Sequence, residues 1–321
     1  AAAEQGVEIY LGCDNGLCMI CQSERIAGTF RFRNSLGQSV LGSEDRVLCC
    51  IATPLTDAEL YMPSVFAADH IEPVSYACQI PVLEKLGATM WRAVLLLPAG
   101  EKVSYWAGQH LFLQVQHADG SEEQVPFSIA NAPAAVTGGN PREIELLIAN
   151  HSDNAQSIIN FLAQAVVVHA TLPMGECFVN QRFLSEHYGE PLLMVAAGSG
   201  FSQIKCLTEA VLTLSPKHEI HLYWSNKSAD EFFLTELLAK WQSSHPNLKV
   251  NLILEEATSG WSGRSGWLYQ IIQQDFPNLK HVQMFACGSA NMVYGTLDEL
   301  TTNGLSISNM HSDTFTYAPR A

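Results

Sequence analysis

The sequence predicts a multidomain protein: a turn-rich β segment bearing a cysteine cluster, then a small antiparallel β-barrel, then an open parallel α/β sheet. Three observations carry this reading. Cys13, Cys18, Cys21 and Cys50 gather near the N-terminus; strand-length apolar runs follow, separated by turn signals; from Pro191 onward buried strands alternate with helical patterns. A chain of 321 residues can hold two or three such domains, each with its own core.

In the first segment, residues 1–68, the cysteines follow C-x4-C-x2-C and, after 28 intervening residues, a fourth C. That is the thiolate pattern of a plant-type [2Fe–2S] cluster, a one-electron carrier. The first three ligands come from one tight loop, to which Gly12 and Gly16 give conformational freedom, and the fourth returns from a distant strand. A structural zinc site usually needs two paired knuckles, and only one short pair, Cys18 and Cys21, exists here. Cys50 is the expected fourth ligand; Cys49 beside it is the alternative, since either spacing is geometrically allowed.

The second segment, residues 74–185, opens after a Pro-containing linker around Ile71 to Val74. Its apolar runs are Arg92 to Leu97, Gln109 to Gln116, Pro126 to Ala130, Glu143 to Ile148 and Val166 to Leu172, with Ala118-Asp119-Gly120 among the turns. Short strands at that spacing suggest a barrel. In the third segment, residues 190–321, the strands are Leu192 to Ala196, Glu219 to Trp224, Val250 to Leu254 and His281 to Ala286. Helices are expected from about Ser202, from about Asp230 and up to about Leu300, the alternation of an open parallel sheet.

Ala196-Ala197-Gly198-Ser199-Gly200-Phe201-Ser202 follows the first of these strands and opens a helix, so glycine backbone can approach a ligand while helix N–H groups face its phosphates. Taken alone, Gly198 and Gly200 read equally well as ordinary turn glycines. Phe285-Ala286-Cys287-Gly288 ends a second strand at the same carboxyl edge, where open α/β folds bind ligands.

Composition narrows the classes. A formal charge of −15 with only 17 Lys and Arg argues against nucleic acid and suits docking to a basic patch on a redox partner, or solubility alone. Nine cysteines, an odd number with scattered singles, argue against a disulfide framework. No stretch approaches the roughly 18 apolar residues of a membrane span, and the opening lacks a basic, apolar leader, so a cytoplasmic location is expected.

At this point the motifs carry a resemblance. In chain order, Cys13 to Cys21, Tyr105 to Gln109, Pro126 to Pro133, Pro173 to Glu176, Gly198 to Ser202, Tyr223-Trp224, Cys287-Gly288-x3-Met292 and Asp313 to Tyr317 resemble the iron–sulfur flavoprotein reductases of the ferredoxin–NADP reductase superfamily. Among these, the chain is similar to oxygenase reductase components and the CDP-6-deoxy-glucoseen reductases, with a C-terminal part closer to NAD(P)H:flavin reductases of the Fre and LuxG type. The resemblance implies a β-grasp ferredoxin domain, a flavin-binding barrel and an NAD(P)-binding domain. It puts Phe127, Ser128, Ile129, Ala130 and Asn131 along the flavin, with Ser128 near N5. Gly198, Ser199, Gly200, Phe201 and Ser202 would hold the dinucleotide, Cys287 and Gly288 would flank the nicotinamide, and Ser128 and Cys287 are the expected catalytic residues. Lys227 falls where relatives contact the adenosine ribose or its 2′-phosphate, Phe315 and Tyr317 match aromatics that cover the flavin, and Asp313 falls close to a family acidic position. Without the resemblance, Phe315 and Tyr317 would read as alternate residues of an edge strand.

The departures matter as much. Val125 stands where the family usually places a phosphate-gripping Arg, and Asn150-His151-Ser152-Asp153-Asn154 replaces the Gly-x-x-Ser/Thr helix start that receives the flavin pyrophosphate. The flavin, FAD or FMN, would be held loosely. Ala197 and Ser199 are conservative changes in the dinucleotide loop. Ala1 to Val7 resembles the end of the first β-grasp helix, so the ferredoxin domain is expected to be truncated. Elsewhere, His218 and His221 enter a strand on opposite faces and make a poor metal pair. Glu255 and Glu256 read as solvated loop residues, Ser185 to His187 lacks nucleophile-elbow glycines, and Trp261, Gly263, Arg264 and Gly266 form a turn before a helix.

The expected function is an NAD(P)H-dependent reductase that passes electrons through flavin to a [2Fe–2S] cluster and on to an acceptor protein such as an oxygenase. The alternatives are a reductase that releases reduced free flavin and a non-catalytic electron-carrier remnant.

Overall fold

The computed structural model describes residues 21–33, 39–42, 45–62, 70–117 and 120–320. Cys13, Cys18 and the stretch from Ala1 to Val7 lie outside the described residues. The chain divides into two units, residues 1–71 and 72–321.

The first unit contains β1 (Gln22–Ala27), β2 (Phe30–Arg33), β3 (Ser39–Gly42), β4 (Arg46–Leu48), β5 (Ala52–Pro54) and β6 (Glu59–Tyr61). They form two three-stranded sheets, ordered β4-β1-β6 and β3-β2-β5, with every pairing antiparallel. Cys21, Phe30 and Val47 are its buried apolar side chains among the described residues. Gly28 joins β1 to β2 at φ +93°, and a Cβ there would come within 2.6 Å of the Ala58 side chain, so the turn admits glycine alone.

The second unit starts with a six-stranded antiparallel sheet built from β7 (Val74–Lys85), β8 (Met90–Leu96), β9 (His110–Gln116), β10 (Glu122–Ser128), β11 (Glu143–Ala149) and β12 (Val168–Met174). The order is β10-β9-β12-β7-β8-β11, and the outer strands meet again where Ile129 bridges Leu146 and the Ala130 N–H donates to the Glu145 carbonyl at 2.8 Å. The sheet thereby curls into a half-barrel. On β9, Leu111, Leu113 and Val115 are fully buried while His110, Phe112 and Gln114 alternate to the other face, the period of two that made this strand legible. Strand β7 went unread. Its buried positions do not alternate, and Pro81 sits at the register shift between Gln79 and Val82, where the strand passes from pairing β12 to pairing β8. Two short helices, α1 (Ala134–Thr137) and α3 (Gln181–Glu186), lie in the connections, and α2 (Asp153–Gln164) packs Ile158, Ile159 and Leu162 inward.

The second sheet contains β13 (Leu192–Ala197), β14 (Ile220–Asn226), β15 (Leu248–Leu254), β16 (Arg264–Ser265), β17 (Gln283–Cys287) and β18 (Met310–His311) in the order β16-β15-β14-β13-β17-β18, all parallel. Helices α4 (Phe201–Leu214), α5 (Thr235–Ser244), α6 (Leu268–Asp275) and α7 (Ala290–Thr301) connect these strands, and α8 (Thr314–Tyr317) follows the last. Because both faces of β13 are covered, its residues form a continuous apolar run: Leu192, Met194 and Ala196 join one core, Leu193 and Val195 the other. Two expectations need correction. The helix expected from Asp230 begins at Thr235, because Ser228 and Glu231 close a capping box around a separate 3₁₀ turn at Ala229–Glu231. Phe315 and Tyr317 lie on α8 rather than on an edge strand.

Candidate active site

The carboxyl edge of the parallel sheet is where two strand ends touch. Gly200 follows β13, and a Cβ on it would stand 2.2 Å from the Cys287 carbonyl oxygen at the end of β17, so only glycine lets these backbones meet. Gly198 holds φ +55°, and its carbonyl accepts the Trp224 indole N–H at 3.0 Å. Phe201 stacks on the same indole, ring centroids 4.0 Å apart and planes 11° from parallel. The loop is thus clamped to Trp224 of β14 by Gly198 and Phe201, while Ser199, Gly200 and Ser202 line the cleft.

Three cavities adjoin this edge in sequence. The first, about 570 Å³, is lined by His110, Phe112, Ser128, Cys287, Asp313 and Tyr317 among others. Gln203 Nε2 donates to the Gly108 carbonyl at 2.6 Å and to Asp313 Oδ2 at 2.8 Å, and His110 Nδ1 stands 3.6 Å from the same carboxylate oxygen. Gly175, at φ +91°, makes room for the pair: a Cβ there would lie 2.7 Å from His110 Nδ1 and 2.9 Å from Asp313 Oδ1. Burial, reinforced by the Asp313 charge, pushes the Cys287 thiol up to about 12, so it is a neutral S–H at physiological pH.

The second cavity, about 380 Å³, shares Pro126, Ser128, Cys287 and Gly288 with the first. It runs past Phe127 and Ser199 to the start of α2, where Ser152 Oγ accepts the Ala155 N–H at 3.2 Å. A helix therefore does begin at Asn150 to Asn154, although Asp153 places a carboxylate in its first turn. The third cavity, about 400 Å³, shares Ala197 and Ser289 with the second and lies over the ends of β13, β14 and β15.

Of the residues expected at the site, Ser128, Cys287 and Gly288 line both of the first two cavities; Phe127, Ser199, Gly200 and Ser202 line the second, and Tyr317 lines the first. Others face none of these three cavities. Ile129 and Ala130 are fully buried in the barrel core, as Phe201 is in the core around Trp224. Asn131 acts on its neighbours: Oδ1 accepts the Glu145 N–H at 2.7 Å and Nδ2 donates to the Glu143 carbonyl. Phe315 packs on Tyr294, centroids 5.5 Å apart, and Lys227 is exposed beyond β14, outside all three cavities. His110 and Gln203 were missed. Their only signal was position, beside Gly108-Gln109 and in the first turn of α4.

In the first unit, the backbone N–H of Cys50 donates to Cys21 Sγ at 3.4 Å. Cys49 turns elsewhere: its Sγ lies 3.6 Å from Ser23 Oγ and 3.7 Å from Met62 Sδ, and burial raises its pKa. Among the described residues no three His, Cys, Asp or Glu side chains gather as metal ligands, and two of the four expected, Cys13 and Cys18, fall outside them.

An antiparallel half-barrel followed by a parallel sheet, with a cleft at the carboxyl edge, is a ferredoxin–NADP reductase-like fold. Residues 194–298 match the oxidoreductase NAD-binding domain family. The chain is 27% identical to the CDP-6-deoxy-L-threo-D-glycero-4-hexulose-3-dehydrase reductase of Yersinia pestis, over 98% of this chain and 92% of the relative. It is 25% identical to an NAD(P)H-flavin reductase of Vibrio harveyi, over 70% of this chain and 92% of that one. The fold matches the Amycolatopsis cytochrome P450 reductase GcoB at a TM-score of 0.68, covering 96% of this chain and 90% of the other at 20% identity. The chain is an NAD(P)H-dependent oxidoreductase whose relatives include dehydrase reductases, oxygenase reductase components and flavin reductases. Among the described residues no helix is long and apolar enough to cross a membrane.

Proposed function

We propose that the chain passes electrons from a nicotinamide dinucleotide through a flavin to a [2Fe–2S] cluster and on to an acceptor protein, a dehydrase or an oxygenase. The observation that carries this reading is the shared wall of the first two cavities. Barrel residue Ser128 and strand-end residue Cys287 line the same space, and the Ser128 hydroxyl makes no hydrogen bond to another described residue. A flavin, when bound, converts a two-electron hydride donor into single electrons for a one-electron centre.

The residues fit that role. Phe127 and Tyr317 offer aromatic surface, and Ser128 offers a hydroxyl to a ring nitrogen. Cys287 and Gly288 present a neutral thiol and a bare backbone to the nicotinamide, and the N-terminal turn of α4 faces its phosphates with no carboxylate of its own. The His110–Asp313–Gln203 group is the polar corner of an otherwise mostly apolar cavity and can hold a proton beside the reacting atoms. For the cluster, Cys21 and Cys50 are the described members of the ligand set. The contact from the Cys50 amide to Cys21 Sγ is of the kind that stabilises a thiolate, whereas Cys49 packs on Ser23 and Met62. The ligand set Cys13, Cys18, Cys21 and Cys50 rests on the sequence spacing, with Cys13 and Cys18 outside the described residues.

Two observations favour a second reading, a reductase that releases reduced free flavin: Val125 lines the second cavity where an Arg would grip phosphate, and Asp153 opposes phosphate at the start of α2. The test is an ultraviolet–visible spectrum after anaerobic reconstitution with iron, sulfide and FAD, repeated after adding NADH and NADPH. Broad bands beyond the flavin peaks that bleach on reduction support the full route. Flavin bands alone, with turnover of added free flavin, favour the second. Ser128→Ala should slow flavin reduction about tenfold or more while changing FAD affinity little.

A further inference from the structure

The third cavity holds a discriminator that the proposed function leaves open. It lies over the carboxyl ends of adjacent parallel strands and continues the groove past Ala197 and Ser289, so a dinucleotide with its nicotinamide at Cys287 would place its adenosine half here. Trp267 and Tyr269 supply flat apolar surface, Ser225 and Asn291 supply polar groups, and Glu255 is the one charged side chain in the lining. No lysine or arginine among the described residues lines it.

Glu255 is held in register with the end of β14, because its backbone N–H donates to the Asn226 carbonyl at 3.1 Å. The nearby cations lie outside this lining. Arg264 bonds Asp275 and, through Nη2, the Ile271 carbonyl and Gln274. Lys227 opens a turn in which Glu231 accepts the backbone N–H groups of Lys227 and Ser228, and Asp230 follows. A 2′-phosphate carries about −1.5 to −2 charges at neutral pH and would meet Glu255 without a cationic partner in the lining. A 2′-hydroxyl can instead donate to Glu255, as acidic residues at strand ends do in NAD sites.

We infer that Glu255 makes the chain selective for NADH over NADPH by accepting the unmodified adenosine ribose and repelling its 2′-phosphate. This rests on the nicotinamide-dinucleotide reading of the groove. The test measures NAD⁺ and NADP⁺ binding to the full chain by titration calorimetry, and kcat/KM for NADH and NADPH on the flavin-loaded protein, for the wild type, Glu255→Gln, Glu255→Lys and Lys227→Ala. The wild type should favour the NAD form by about tenfold or more. Glu255→Gln should shrink that ratio severalfold and Glu255→Lys should reverse it, with melting temperatures showing that both variants are folded. A wild type that prefers the NADP form, or a ratio unchanged in Glu255→Gln but moved in Lys227→Ala, overturns the assignment and leaves the dinucleotide groove standing. Binding of neither dinucleotide overturns the groove itself, and the assignment with it.

Discussion

Substituting Gly200 by alanine tests whether the meeting of two strand ends holds the site together. Gly200 already has helical dihedrals, φ −56° and ψ −16°, so alanine would meet no backbone strain and its whole effect comes from contact. Its Cβ would lie 2.2 Å from the Cys287 carbonyl oxygen and 2.5 Å from the carbonyl carbon. Relief to ordinary contact needs about 1 Å of separation. Neither side yields easily, since Ala196 and Cys287 are register partners in the sheet and Phe201 is pinned on Trp224. Overpacking of this kind costs about 1–3 kcal/mol, and rigid backbone on both sides argues for the upper end. For a unit of this size that is a fall in melting temperature of about 6–12 °C. Gly198→Ala is the control: its Cβ meets nothing within 4 Å, and only φ +55° opposes it, for about 1 kcal/mol. Scanning calorimetry of the two variants should show Gly200→Ala melting several degrees below Gly198→Ala and binding NAD⁺ more weakly. If Gly200→Ala melts within 2 °C of the wild type, or above Gly198→Ala, the strand-end contact is not a constraint.

Further outcomes follow from buried charge. Lys205 Nζ bonds the Ala130 carbonyl at 2.9 Å and the carboxylates of Glu209 and Glu145 at 2.8 and 3.3 Å, so Lys205→Met should cost about 3–5 kcal/mol in urea unfolding by leaving those acids uncompensated. Burial works to lower the Lys205 pKa, but the two glutamates outweigh it and the net shift is upward; its contribution should be complete below the unfolded lysine value and lost as pH rises through the folded one. His311 is pushed down to about 4 by burial, stacked on Phe285 at 4.8 Å, so the folded state resists its protonation. Stability should fall as pH drops from about 6.5 towards 4, by at most about 3 kcal/mol, and His311→Phe should flatten that slope in unfolding curves at pH 7 and pH 5. The neutral Cys287 thiol should resist iodoacetamide at pH 7.5 in the folded protein and react once unfolded, as peptide mass spectrometry would show; rapid labelling of the native chain would contradict its raised pKa.

What could be read from the sequence was local. The run from Leu192 to Ala196 announced a doubly covered strand, the alternation at Leu111, Leu113 and Val115 announced a half-barrel strand, and Gly198 to Ser202 marked a strand-to-helix turn. Strand β7 escaped because Pro81 interrupts it, and helix α2 was passed over although Ser152 and Asp153 are ordinary helix-start residues. Within Phe127 to Asn131 the segment was found but not its division of labour. Phe127 and Ser128, at the end of β10, line the cleft, while Ile129 and Ala130 just past the strand close the barrel and Asn131 ties β11 to it, a grouping that period-two alternation does not give. Phe315 is apolar and near Tyr317, yet α8 turns the two rings apart, which no periodicity over four residues could reveal.

The polar interactions at the cleft were illegible for a different reason: each closes a long loop. Gln203 reaches Asp313 across 110 positions and Gly108 across 95, and Lys205 reaches Ala130 across 75. Such contacts form only after barrel and sheet have docked, so no local pattern encodes them. They also explain why the cavity has its shape. Helix α4 carries, within one turn, Gln203 toward the cleft floor and Lys205 toward the end of the Pro126 to Ala132 segment, with Cys206 Sγ adding a 3.0 Å contact to the Asn131 carbonyl. The helix that opens with the Gly198 to Ser202 loop therefore also fixes the segment that follows Ser128. A displacement of the loop is transmitted through buried hydrogen bonds to the Ser128 wall of the cavities, because the interior is too closely packed to absorb it. This coupling makes the positions of Ser128 and Cys287, which line the same two cavities, one structural variable.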